Sequence, residues 1–279
     1  MKIKTLLFHI FIIFSICQTS QLYAEQSVDD VQLPETSRRA TSDELPLDRR
    51  FHPVQGTSYY DVFLANIKIG KATIEVTANG DQYQVKVAAK TRSLFNQIYK
   101  FKYKGEVEMQ PDPLQPANAA IVEETGKRVK TYDMQFPTPD KVIVVQEDFG
   151  GSKPPTRKQK SFESESFILD PFSVVYLIRS LEWKKDTAEV FDVFTGKKQY
   201  ELQLYCSGET TLTIDGEARQ AWMIHPRTRT LDEKRKLSLA RWTVYLSTDN
   251  RRQILQIKGH PKIGRITAQM RKFEHAPKG

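Results

Sequence analysis

Polar and apolar residues alternate along most of this chain. The cleanest run is Tyr99-Lys100-Phe101-Lys102-Tyr103-Lys104, aromatic and lysine in strict turn. Successive side chains of a strand point to opposite faces, so this run reads as a strand with one buried and one wet face. Ala72, Ile74, Val76 and Ala78 repeat the pattern, as do Tyr83, Val85, Val87 and Ala89. Asn79-Gly80 between those two runs is a strong hairpin signal. Residues 56–65, 117–124, 127–136 and 141–149 continue the series, with prolines at 111, 113, 116, 137 and 139 marking connections. Residues 150–160 read as a polar, basic loop. Further on, 188–195, 199–206, 209–214, 218–225, 241–248, 253–259 and 263–273 read as strands, with Asp215-Gly216 as a second hairpin turn. Short connections between about 13 strands imply antiparallel pairing, and a sheet of that size curls, splits or closes.

One stretch breaks the period of two. Residues 170–183, DPFSVVYLIRSLEW, read as a helix. Asp170 is a good N-cap, and Pro171 sits at the first helical position, where its missing N–H costs nothing. Phe172, Val174, Val175, Tyr176, Leu177, Ile178, Leu181 and Trp183 place apolar groups on every face, which predicts burial. The segment is too short for the roughly 20 residues of a membrane span. At 1.5 Å per residue it is about 20 Å long, the size needed to fill a curled sheet. The pattern therefore predicts a mainly β fold: a large curved antiparallel sheet, or a partly open barrel, wrapped around one buried central helix at about 170–183.

Residues 1–24 have Lys2 and Lys4, an apolar run from Thr5 to Cys17 and a closing Ala24. This is the pattern of a signal peptide cleaved near Ala24, and it predicts export to the periplasm. Residues 25–55 hold Pro34, Pro46 and Pro53, many charges and few apolar groups, which reads as a flexible N-terminal tether. Residues 56–275 form a single β-rich domain. Two hexapeptides within it, KIGKAT at 68–73 and KIGRIT at 262–267, resemble each other. They are too short to establish an internal duplication.

Little here carries chemistry. Past residue 24 only Cys206 remains, so no intramolecular disulfide is expected. Cys206 shares an alternating face with Tyr200, Leu202 and Leu204 and reads as a small buried hydrophobe. His52, His225, His260 and His275 are not at metal-ligand spacing. No serine sits in a nucleophile elbow, and no glycine loop leads into a helix to cradle phosphate. Glu106, Glu108, Glu123 and Glu124 sit at strand positions whose spacing selects no catalytic pair. No catalytic residue, metal site or cofactor is expected.

Charge says more. The chain carries +8, and residues 227–279 hold 14 Lys and Arg against 4 Asp and Glu. A field polarised in this way attracts anions. For an exported protein those are lipid, lipopolysaccharide or an acidic envelope polymer, with peripheral membrane contact; no nucleic-acid partner is expected. Arg179 stands out because a guanidinium inside an apolar helix is costly unless paired. It reads either as a buried bridge to a strand carboxylate or as an anion contact at the end of a lipid-sized cavity. The candidate ligand-binding residues are Arg179, Tyr176, Tyr99, Phe101, Tyr103, Arg241 and Arg265, an apolar concave surface beside a basic rim.

The early strand Tyr60-Asp-Val-Phe63 with Ile69-Gly70, followed by a helix carrying Asp170-Pro-Phe-Ser173, Tyr176 and Arg179 between two meanders, resembles the bacterial domain of unknown function 3108 family. The resemblance covers about residues 56–273. It implies an exported protein of Gram-negative bacteria with a mostly β fold, and it brings no activity or catalytic residue. The resulting expectation is a non-enzymatic protein that binds or carries an amphipathic or anionic envelope component (lipid, lipoprotein or glycolipid). The alternatives are an interaction or scaffold protein with no ligand cavity and, more weakly, an enzyme acting on envelope polysaccharide.

Overall fold

The computed structural model describes residues 47–48, 51–96, 100–150, 154–231, 241–261 and 264–276. The first meander is β1 (Gly56–Leu64), β2 (Ile67–Asn79), β3 (Gln82–Thr91), β4 (Phe101–Pro111), β5 (Leu114–Thr125), β6 (Arg128–Thr138), β7 (Lys141–Phe149) and β8 (Thr156–Glu163), with a short helix α1 (Ser93–Asn96) between β3 and β4. A two-residue strand β9 (Ile168–Leu169) leads into helix α2 (Pro171–Ser180). The second meander is β10 (Ala188–Phe194), β11 (Gln199–Ile214), β12 (Glu217–Thr230), β13 (Arg241–Ser247), β14 (Ile254–His260) and β15 (Ile266–His275).

All of these strands belong to one 15-stranded sheet, ordered β8-β7-β6-β5-β4-β3-β2-β1-β15-β14-β13-β12-β11-β10-β9. Every pairing is antiparallel except the short parallel contact of β9 with β10. The two meanders join in mid-sheet, where β1 pairs with β15 from Gly56↔His275 to Leu64↔Ile266. The fold is thus mainly β, and its ladder is not closed.

The connectivity forces the sheet to roll. β8 and β9 lie at opposite edges of the order, yet only residues 164–167 separate them in the chain. Five chain steps reach roughly 18 Å at most. A flat sheet of this many strands, spaced ~4.8 Å, would be about 67 Å wide. Side chains and turns bridge the resulting seam. The Phe162 and Phe194 rings lie 4.6 Å apart, and Ser164 donates a hydrogen bond to Asp192. The Ile168 amide donates to the Pro139 carbonyl at 2.7 Å, and Lys197 pairs with Glu123 at 2.9 Å.

Residues Phe172–Ser180 of α2 are all buried. The Phe172 ring lies over Gly105 of β4, where a Cβ would overlap it, and 6.3 Å from the Tyr103 ring. Gly259 receives the Trp242 ring of the neighbouring strand in the same way. Inward positions of both meanders supply the rest of the core, among them Val85, Val107, Met109, Phe191, Leu204 and Leu246. Burying each such side chain contributes roughly 1.5–3 kcal/mol.

Several features differ from the sequence-based expectation, among them the short helix α1 and the two-residue strand β9, neither of which the pattern predicts. Residues 156–163 form the edge strand β8 instead of continuing a loop. This strand is exposed at all but one position, so no apolar alternation marks it. Backbone pairing to β7 and the ion pair Lys141–Glu163 hold it, and its Arg157, Lys158 and Lys160 give the edge the charge that discourages further strand addition. Residues 199–214 are one strand with a bulge between Cys206 and Gly208, not two strands. The helix stops at Ser180, since Leu181 is extended (φ −68°, ψ 143°) and bridges to Leu47. Finally, the last part of the expected tether is docked. Phe51 is buried in the core, and the Asp48 amide donates to the Ser180 carbonyl at 2.7 Å.

Candidate functional site

A helix can be buried whole only if its terminal amides and carbonyls find partners inside the protein. At the N-terminus of α2 the chain supplies them locally. Asp170 Oδ1 accepts from the Phe172 amide at 2.7 Å and the Ser173 amide at 3.2 Å, and the Ser173 hydroxyl donates to Asp170 Oδ2. Pro171 has no amide to satisfy, and the Val174 amide donates to the Asp170 carbonyl at 3.2 Å. Full burial raises the Asp170 carboxyl to about 6, against the lowering effect of these hydrogen bonds.

At the C-terminus some partners are local and the rest come from afar. Ile178 O accepts from Trp183 Nε1 at 2.7 Å, and Leu177 O accepts from the Ser180 hydroxyl at 3.1 Å and the Leu181 amide at 3.0 Å. Ser180 O is taken by the Asp48 amide. The Arg252 guanidinium donates to Arg179 O (3.2 Å) and Leu181 O (2.8 Å) and pairs with Asp48 at 2.9 Å. Arg179 answers in kind, donating to the carbonyls of Arg252 (2.9 Å) and Arg251 (3.2 Å). Both guanidinium groups stack on Phe51, at 5.7 and 5.4 Å from the ring centre. Burial lowers Arg179 from its ordinary value, with Tyr60 and Tyr176 opposing. The hydrogen bonds of Arg179 go to backbone carbonyls of the β13–β14 turn, not to the strand carboxylate that the sequence suggested.

Between α2 and the sheet lies an apolar cavity of about 60 Å³, lined by Val174, Val175 and Ile178 of the helix and by Ile74, Trp242 and Ile257 among others. Trp242 Nε1 is buried there without a hydrogen-bond partner. Two larger hollows of about 510 and 300 Å³ are open clefts with many polar side chains, the first around Asp81 and Asp112, the second around Glu217 and Arg271. Among the described residues no three His, Cys, Asp or Glu are grouped to hold a metal ion, and no helix is long and apolar enough to cross a membrane.

None of the six candidate ligand-binding residues that the structure describes lines the apolar cavity. Tyr176 packs its ring against Phe51 and Tyr83 at 6.0 and 5.7 Å. Phe101 and Tyr103 are buried in β4, and burial, then the nearby Glu123 and Asp170, pushes the Tyr103 hydroxyl well above its ordinary value. Arg241 is exposed, and Arg265, also exposed, donates to Asn66 at 2.6 Å. Tyr99 lies outside the described residues. The sequence reading missed two arrangements. One is the Arg252–Phe51–Arg179 clasp, whose members are far apart in the chain. The other is His225, whose ring nitrogens contact the Ser207 hydroxyl at 2.8 Å and the Thr243 hydroxyl at 3.3 Å. Only strand register brings those three together, and burial lowers the His225 ring from its ordinary value.

A solved structure that resembles this chain is the β-barrel-like protein of the domain of unknown function DUF1849 from Brucella abortus. It matches at a TM-score of 0.56 and 13% identity over 81% of this chain and 99% of that one, which establishes a shared fold and nothing more. The hypothetical protein CT021 from Chlamydia trachomatis matches 86% of this chain and 95% of its own at 9% identity, but its TM-score of 0.31 is too low to define a common fold. No curated protein matches the chain. The family model described as protein of unknown function, DUF3108, matches residues 59–271, a span that contains the capped helix and nearly all of both meanders. The chain belongs to the DUF3108 family.

Proposed function

We propose that this chain is an exported, non-enzymatic interaction protein of the cell envelope, in which the rolled sheet encloses α2 as permanent filling and the outer surface does the work. The observation that carries this reading is the size of the apolar cavity. Its roughly 60 Å³ falls well below the roughly 300–1,000 Å³ of sites that enclose a drug-sized ligand, and an acyl chain with its head group needs at least as much. A carrier of acyl chains would need α2 to leave, and every terminal amide and carbonyl of that helix is already satisfied in place. The larger clefts hold carboxylates and cations, which suit no hydrocarbon tail. The geometry thus favours the scaffold reading over the enclosed lipid carrier. Export rests on the N-terminal pattern of residues 1–24.

Lipid extraction and native mass spectrometry of the protein purified from its own envelope test this reading. Bare protein is expected. A lipid bound in one-to-one ratio that survives removal of detergent would restore the carrier.

A further inference from the structure

In an antiparallel meander, alternate connections fall at opposite ends of the sheet. Those after β1, β3, β5, β7, β10, β12 and β14 therefore gather at one end. Two contacts join them across the sheet: the Ala65 amide donates to the Arg265 carbonyl at 2.9 Å, and Lys197 reaches Glu123. Among the described residues of these connections every charged side chain is a cation: Arg92, Lys100, Lys127, Lys197, Lys198 and Arg265. The nearby carboxylates Glu123, Glu124 and Asp148 lie within the strands, each in an ion pair.

Among the described residues, the large apolar side chains that the fold leaves exposed lie at this same end. Ile67 opens β2 and is 61% exposed, Leu94 in α1 is 75% exposed, and Phe149 closes β7 at 39%. At the opposite end the hairpins turn on Asp81, Asp112, Asp140, Asp215 and Asp249. The other connections at that end add the exposed Glu165, Glu182 and Asp186, and against these carboxylates stand the exposed Lys184, Lys185 and Arg251 and an Arg252 that is turned inward onto α2. Charge is thus polarised along the strand direction, and apolar tips occur on the positive end.

We propose that this positive end is a docking face for an anionic phospholipid bilayer, with Ile67, Leu94 and Phe149 entering the interface and the cations resting on the head groups. The inference rests on the outer-surface reading above and names its partner. A soluble acidic polymer would use the cations but leave three large apolar groups in water. A lipid surface satisfies both, because apolar tips enter the acyl boundary while lysine and arginine attract anionic head groups. The acidic opposite end orients the molecule, since it is repelled by the same surface.

Vesicle flotation of the chain lacking residues 1–24 tests the proposal. Vesicles of phosphatidylglycerol with phosphatidylethanolamine should carry the protein up the gradient, phosphatidylcholine vesicles should not, and added salt should weaken binding. The triple variant Ile67→Ser, Leu94→Ser, Phe149→Ser should lose about tenfold in vesicle affinity with its thermal unfolding nearly unchanged. The pair Lys100→Glu and Lys127→Glu should lose on the order of a hundredfold, and it decides the matter if the triple variant does not fold. Equal binding to both vesicle types overturns the proposal. So does binding to soluble polyphosphate that the triple variant retains in full while neither protein floats with vesicles. A lipid found inside the purified protein would sink the filled-interior reading instead, and would leave the vesicle result to stand or fall by itself.

Discussion

At its N-terminus α2 is held by its own chain: Asp170 takes two amides and a hydroxyl from residues two and three positions away. At its C-terminus the carbonyls of Leu177 and Ile178 also find local donors, but those of Arg179 and Ser180 fall to Arg252 and Asp48, which lie far off in the chain in either direction. The difference is one of sequence distance. The first cap needs nothing beyond the helix and its leading residue, whereas the second needs two remote segments in place, the β13–β14 turn and the segment before β1.

Replacing the local cap should have the largest effect. Asp170→Ala leaves two buried amides and a hydroxyl without acceptors, at about 1–3 kcal/mol each, so a total loss of about 3–5 kcal/mol is expected. Urea titration reads it, and a loss under about 1 kcal/mol would mean those donors have other partners. Arg252→Ala comes next, at about 2–4 kcal/mol, since it removes the ion pair with Asp48 and the donor to two carbonyls while Trp183 and Ser180 still serve the neighbouring ones. A larger loss than that of Asp170→Ala would invert the comparison.

A pH titration sharpens it further. Burial raises Asp170 from 3.8 to about 6 in the folded protein. Between those values the folded state keeps a proton that the unfolded chain has released, so stability falls as pH rises from about 4 to about 6. Above that window the contribution of this group is constant, at on the order of 2–3 kcal/mol below its acid value. Asp170→Asn, which can still cap, should flatten the slope. An unchanged slope would place the titration elsewhere. The smallest effect is expected from Arg179→Lys, about 1 kcal/mol. A lysine keeps the charge but loses the planar fork that reaches two carbonyls and lies on Phe51.

Residues Tyr103 and Phe101 show what alternation alone can deliver, since both are buried where the period of two puts them. Arg179 shows where it stops. Its position in an apolar helix marks it as a cation in need of partners, but nothing nearby says that those partners are the carbonyls of Arg251 and Arg252. The lining of the apolar cavity runs from Ile74 to Ile257 and has no local signature at all. Strand β8 was hidden for a different reason: an edge strand with two wet faces has no period to read.

Charge follows the same division. In the linear chain, cations concentrate after residue 227. In the folded molecule a second contrast runs between the two ends of the sheet, because antiparallel pairing deals successive turns to opposite ends. By itself the sequence determined most of the strands, the start of the helix and its need for cover, all of which depend on side-chain period and on hydrogen bonds spanning a few residues. Only the tertiary structure decided which groups meet at the helix's far end, how the seam is bridged and which turns share a face. Those contacts join residues 72, 73 and 204 positions apart, and such distances are closed by register and sheet curvature, quantities that no short stretch of chain contains.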